Sequence, residues 1–185
     1  ALLLAACDGL LSAELQIPTI RVTLPSQSFP ASDTTLPENW CDPADLSDPP
    51  CIARTLDYDL GADVPVLNEE NVTYDLRLTD VALALSSTEV GKDLSGVRSL
   101  TIRVLDDPAA ATSGFVLASY VRPPGPVAPT SIAVTGNANV DLGPYLDVGR
   151  LPVRVELVLD HGTPEFLADV QLGLSLEVAL DYGAL

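Results

Sequence analysis

Methionine is absent from this sequence, lysine occurs once (Lys92), histidine once (His161) and tryptophan once (Trp40). Each scarcity excludes something. With one histidine and no Gly-x-Ser-x-Gly elbow, a serine triad has little to be built from. No glycine-rich loop of the kind that cradles phosphates is present either. Aromatic residues make up 5% of the chain, so aromatic platforms for sugars are scarce. No stretch approaches the roughly eighteen unbroken apolar residues that a spanning helix needs. Basic residues number 9 against 26 acidic ones, a net charge of -17. That balance repels nucleic acid and anionic headgroups and favours cations or basic partners. Without a methionine the sequence has no initiator, so it is expected to be processed or a fragment.

What remains is enough for a real domain. The chain has 185 residues and a hydrophobic fraction of 47%. That length predicts one domain, and that apolar content predicts a packed core rather than disorder.

The first residues carry the most information. Ala1-Leu2-Leu3-Leu4-Ala5-Ala6 is an apolar run that ends in small residues, like the end of a signal peptide at its cleavage site. The run stops on Cys7. Leu4-Ala5-Ala6-Cys7 resembles the lipobox of bacterial lipoproteins. The resemblance implies that Cys7 becomes the mature N-terminus and carries acyl chains, and that the membrane is a partner through this lipid. Several acyl chains anchor stably where one does not. The implied location is the bacterial cell envelope, with the domain tethered to the outer or inner membrane and lying in the periplasm or at the cell surface. Residues 1–14 are then signal-peptide remnant, lipobox and tether, and residues 15–185 the domain. The alternative is a first strand or turn with a buried thiol at Cys7.

The chain has three cysteines, which leaves one over in any disulfide scheme. Assigning Cys7 to lipid leaves Cys41 and Cys51 as a natural pair in an oxidising compartment. Closing so short a loop is worth roughly 2.5–3 kcal/mol in the chain-entropy model. Zinc would need more ligands at tighter spacing.

Along the chain the dominant period is two. Leu15–Leu24 reads as a strand in which Pro18 marks an edge or a break. Residues 25–51 are rich in Pro, Ser, Asp and Thr and read as a long loop, pinned by Cys41 and Cys51. Ile52, Arg54, Leu56, Tyr58 and Leu60 then alternate with polar partners. So do Val72, Tyr74, Leu76 and Leu78, after which the phase slips. One extra residue near Asp80 restores the apolar face at Val81, Leu83 and Leu85, the mark of a β-bulge. Further strands read at Leu100–Val104, Phe115–Val121 and Ile132–Val134. A proline cluster at Arg122-Pro123-Pro124-Gly125-Pro126 makes a stiff loop, and Val140–Leu146 a turn or short helical piece. The strongest alternation runs through Leu151–Leu159 and Val170–Tyr182, flanking Asp160-His161-Gly162-Thr163-Pro164, which reads as a hairpin loop.

This pattern predicts an all-β fold, a single antiparallel β-sandwich of immunoglobulin-like type, with a β-barrel as second choice. The stretch from Asp93-Leu94-Ser95 to Val140-Asp141-Leu142-Gly143-Pro144-Tyr145-Leu146 resembles uncharacterised bacterial envelope lipoproteins. That resemblance implies a sandwich domain and no known activity.

Candidate chemistry is thin. His161 reads as a surface turn residue. Glu38, Asp42, Asp45 and Asp48 crowd the pinned loop and are the candidate calcium ligands, with Asp57 and Asp59 close behind. The plainer account is Asp-Pro turn chemistry at Asp42-Pro43 and Asp48-Pro49. Trp40 is the candidate contact residue for an envelope protein partner. The expected function is a non-enzymatic binding or structural module. The alternatives are a small carbohydrate-active hydrolase working through paired carboxylates and a calcium-dependent adhesion domain.

Overall fold

Residues 12–33, 41, 50–64, 72–106 and 114–181 are described by the computed structural model. Among the described residues eight strands and two short helices follow one another: β1 Ser12–Phe29, β2 Cys51–Asp59, α1 Leu60–Asp63, β3 Val72–Leu85, β4 Val97–Val104, β5 Phe115–Val121, β6 Ser131–Thr135, α2 Gly143–Val148, β7 Arg150–Leu159 and β8 Phe166–Asp181. They form two four-stranded sheets in the orders β1-β8-β3-β6 and β2-β7-β4-β5. Every pairing is antiparallel.

The expected sandwich is there, and its wiring is that of a jelly roll. Among consecutive strands only β4 and β5 pair, and the other connections cross from one sheet to the other. The immunoglobulin-like order is therefore not the one adopted, since it divides its strands unequally between the sheets. The barrel alternative is not adopted either, because β1, β6, β2 and β5 remain edges.

The core lies between the sheets. Val22, Leu76, Leu78, Val81, Leu83, Val170, Leu172, Leu174 and Leu176 of the first sheet are buried against Ile52, Leu56, Leu100, Ile102, Val153, Val155, Leu157 and Leu159 of the second. Each such side chain contributes roughly 1.5–3 kcal/mol by leaving water. Tyr58 on β2 is buried too, and its hydroxyl donates to the Val170 carbonyl at 3.1 Å, joining the two sheets. Burial pushes its phenol well above the ordinary tyrosine range.

The phase slip near Asp80 is a bulge. The β3–β8 register shifts between Leu78 and Asp80, so Thr79 is the extra residue and both Leu78 and Val81 point inward. β1 is an edge strand with two breaks in its ladder, between Ile17 and Ile20 and between Leu24 and Gln27. Pro18 and Pro25 lie in these gaps, where a missing N–H costs no ladder bond. Thr19 and Ser26 beside them take φ values of 40° and 52°.

Three expectations need correction. Residues 12–14, expected in the tether, are the first residues of β1 and pair with β8. The loop expected to begin at residue 25 begins after Phe29. The bulge at Pro25 and Ser26 absorbs the proline, Asp169 accepts from the Ser26 N–H at 2.8 Å, and Phe29 stacks on Phe166 at 5.2 Å. Nor is Asp160–Pro164 a hairpin loop. β7 and β8 lie in opposite sheets, so the turn spans the sandwich. Residues 143–148 do form a helix, α2, with Pro144 in its first turn and Gly149 closing it at φ 70°.

Candidate functional site

The connections β1–β2, β3–β4, β5–β6 and β7–β8 are tied to one another by hydrogen bonds. The β7–β8 turn is the hub. Ser32 N–H donates to the Thr163 carbonyl at 3.0 Å, and the Thr163 N–H returns to the Ser32 hydroxyl at 3.1 Å. Asp33 accepts from the Gly162 N–H at 3.1 Å and lies 3.5 Å from His161 Nδ1. The Gly162 N–H foremost, then Ser32 and His161, hold the Asp33 carboxyl below the usual range.

Asp160 is held by Arg122 Nη1 at 2.8 Å and by Arg98 Nε. Arg122 first, then Arg98, keep its carboxyl below the ordinary value. Arg122 also donates to the Ser95 carbonyl. Asp93 is likewise lowered, by the Ser95 hydroxyl and N–H. Lys92 meets Glu89 at 2.6 Å and the Glu165 carbonyl at 2.9 Å. These side chains are bound to one another and stiffen the loops.

The disulfide is formed as expected. Cys41 and Cys51 are bonded with their Cα atoms 5.4 Å apart, and the Cys41 N–H donates to the Cys51 carbonyl at 2.9 Å. A second fastening was not anticipated. Arg154, at an outward register position of β7, is 8% exposed. Its Nη2 donates to the Cys41 carbonyl at 2.7 Å and its Nε pairs with Glu156 at 2.9 Å. Glu156 also receives Arg103 at 3.4 Å. Cys41 is therefore held by one covalent bond and one side-chain hydrogen bond, the latter from the outer face of the second sheet. The sequence signal was a lone cation inside the most apolar of runs, Leu151–Leu159.

Cys7, Glu38, Trp40, Asp42, Asp45 and Asp48 lie outside the described residues. Asp57 and Asp59 are placed apart from one another in role: Asp57 pairs with Arg150, and Asp59 caps α1 by accepting from the Ala62 N–H at 3.3 Å. His161 is exposed on its turn. Among the described residues no group of three or more His, Cys, Asp or Glu is arranged to hold a metal ion, and no helix is long and apolar enough to cross a membrane.

All nine Lys and Arg side chains are described, and each donates to an oxygen of the chain. Eight face carboxylates, and Arg54 reaches the Ser28 carbonyl across the open side of the sandwich. With 26 acidic residues against 9 basic ones, carboxylates remain in surplus and the surface field is negative.

No protein-family model and no curated protein matches the chain. Among solved structures it is similar to the BFDV capsid protein, at TM-score 0.38 and 10% identity over 91% of this chain and 98% of that one. It is similar to the tobacco streak virus coat protein at TM-score 0.32 and 14% identity, over 85% of each chain. It is also similar to the K1 adhesin domain of Lys-gingipain from Porphyromonas gingivalis at TM-score 0.25 and 9% identity, over 88% and 96%. Likeness of this degree bears on neither activity nor partner, and the fold is read from the strand order.

Proposed function

We propose that this chain is a membrane-anchored, non-enzymatic envelope lipoprotein, a jelly-roll module that offers its Cys41–Cys51 loop to a protein partner. The carrying observation is the double fastening of that loop at Cys41, by the disulfide and by buried Arg154. Ordering a loop in advance removes part of the entropy cost of binding. Trp40 precedes the fastened Cys41 in sequence, and a tryptophan held at a contact is the kind of anchor that carries interface energy. The negative field selects a partner with a basic face. A non-enzymatic role is supported by the carboxylates of the loop end, which are committed to Arg98, Arg122 and backbone N–H groups. The Leu4-Ala5-Ala6-Cys7 motif supports the anchor.

The test is the intact mass of the protein extracted from its own membranes, followed by photo-crosslinking from position 40 in the intact envelope. The reading requires a chain starting at Cys7 with acyl groups, and a discrete adduct at position 40 that is lost when Cys41 and Cys51 are replaced by serine. An unlipidated mass removes the anchor. Equal crosslinking with and without the disulfide removes the fastened loop as the contact.

A further inference from the structure

β1 behaves as two strands in series. The break between Ile17 and Ile20 separates an inner part, which buries Val22 and Phe29, from an outer part, Ser12–Ile17. Among the described residues the outer part pairs only with Leu176–Asp181 of β8. Leu15 there is 58% exposed, and Ile17 is only partly buried against the core. A segment with so few buried apolar contacts opens at low cost.

Acidic side chains gather on the outer face of this pairing. Gln16 of β1 and Asp75 of β3 both stand opposite Glu177 of β8, and Glu14 stands opposite Ala179, two places further along. Glu14, Glu177 and Asp75 therefore share the outer face of the first sheet on three adjacent strands. Like charges across a ladder are destabilising. Arg77 adjoins the cluster: its Nη2 donates to Asp75 at 2.8 Å, and it also feels Asp141 and Glu177. A hydrogen bond with Glu14, first, and then the charge of Glu14, burial and Asp75 raise the Glu177 carboxyl above its ordinary value, against the pull of Arg77.

We propose that the outer part of β1 is a proton-sensitive clasp, closed on β8 when the Glu177 carboxyl is protonated and loosened when Glu177 stands as a carboxylate among Glu14 and Asp75, while the inner part stays in place. The sign follows from linkage. A carboxyl whose folded value is raised contributes stability that is fully present below its unfolded value and is lost as pH rises through the folded one. Release adds about 20 Å of extended chain between the sandwich and residues 1–11. The clasp does not depend on lipidation at Cys7, so failure of either reading leaves the other standing.

Hydrogen exchange of the full chain, followed by mass spectrometry and corrected for intrinsic rates, tests it at about pH 4 and about pH 7.5, either side of the carboxylate range. Protection of residues 12–17 should fall roughly two- to fivefold on going to the higher pH, the worth of one cross-strand charge pair. Protection of residues 20–29 should hold. The E14Q/E177Q variant should keep residues 12–17 protected at both values, and E14Q alone should remove most of the difference. Protection that is independent of pH overturns the proposal. So does an equal loss along all of β1, or a loss that persists in E14Q/E177Q.

Discussion

Gly173 sits on β8 opposite both Arg21 of β1 and Asp80 of β3. The Arg21–Asp80 ion pair, at 3.0 Å, crosses above it, and a Cβ there would come within 2.3 Å of Asp80 Oδ2 and 2.8 Å of Thr79 Oγ1. The β3 bulge and this glycine are one device: the extra residue turns Asp80 toward Arg21, and the missing side chain leaves it the space. Gly173→Ala should cost about 1–3 kcal/mol of unfolding free energy, the range for overpacking. Adding Asp80→Ala should recover part of that loss, because the obstructing carboxylate is gone. Chemical denaturation of the three variants reads the coupling, and strictly additive losses would place the strain elsewhere. Asp160 gives a pH prediction. Its folded carboxyl is lowered, so its contribution is present above the ordinary carboxylate range and is lost as pH falls through the lowered value. Asp160→Asn should therefore flatten the acid side of the melting-temperature profile and leave its neutral side parallel to that of the wild type.

Each edge strand carries its own protection against pairing with another chain. β1 has Pro18 and Pro25 in its two ladder breaks. β2 begins at the disulfide and puts Arg54 at an inward register position, where it reaches Ser28. β6 is 5 residues long. β5 has no charged residue and exposes Phe115, Val116 and Val121, but Asn137 donates to its carbonyls at Val116 and Leu117. The disulfide and Arg154 act on the β1–β2 connection together. Replacing both Cys41 and Cys51 with serine should lower stability by about 2.5–3 kcal/mol. Arg154→Met should cost little once the disulfide is gone, since the Cys41 carbonyl is no longer held beside it. A double-mutant cycle by urea denaturation checks that coupling. How much was legible at this scale follows from what alternation encodes. Period two fixed which side chains face inward along the strands and exposed the slip at Asp80, because a bulge shifts phase in the sequence itself. It does not state which strand lies across the ladder. Leu151–Leu159 and Val170–Tyr182 have the same pattern whether they pair as a hairpin or face each other across a core, and here they face each other. The disulfide followed from cysteine arithmetic. Arg154 did not, because its value depends on a carbonyl 113 positions away in the chain.

For the molecule as a whole, two electrostatic effects of opposite sign compete. The ion pairs favour the folded state, but Arg21, Arg98 and Arg150 in them are 54%, 48% and 67% exposed, and exposed pairs of this kind are worth roughly 0–1 kcal/mol each. Against them stands a net charge of -17 gathered into a compact body, which repels itself and relaxes when the chain expands. Added salt screens both. Pairs in contact are separated by about 3 Å, well inside the Debye length of about 8 Å at physiological ionic strength, whereas the surplus carboxylates repel over longer distances and are screened first. The repulsive sum should therefore weaken more than the pairs do. Raising sodium chloride from about 10 mM to about 300 mM shortens the Debye length from roughly 30 Å to under 10 Å and should raise the melting temperature. The rise should match in potassium chloride, since screening depends on ionic strength and not on the identity of the cation. A melting temperature that falls with salt would mean that the pairs around Asp160 and Glu156 outweigh the surplus charge. A rise reached at micromolar calcium and reversed by chelator would instead place a specific cation among the carboxylates.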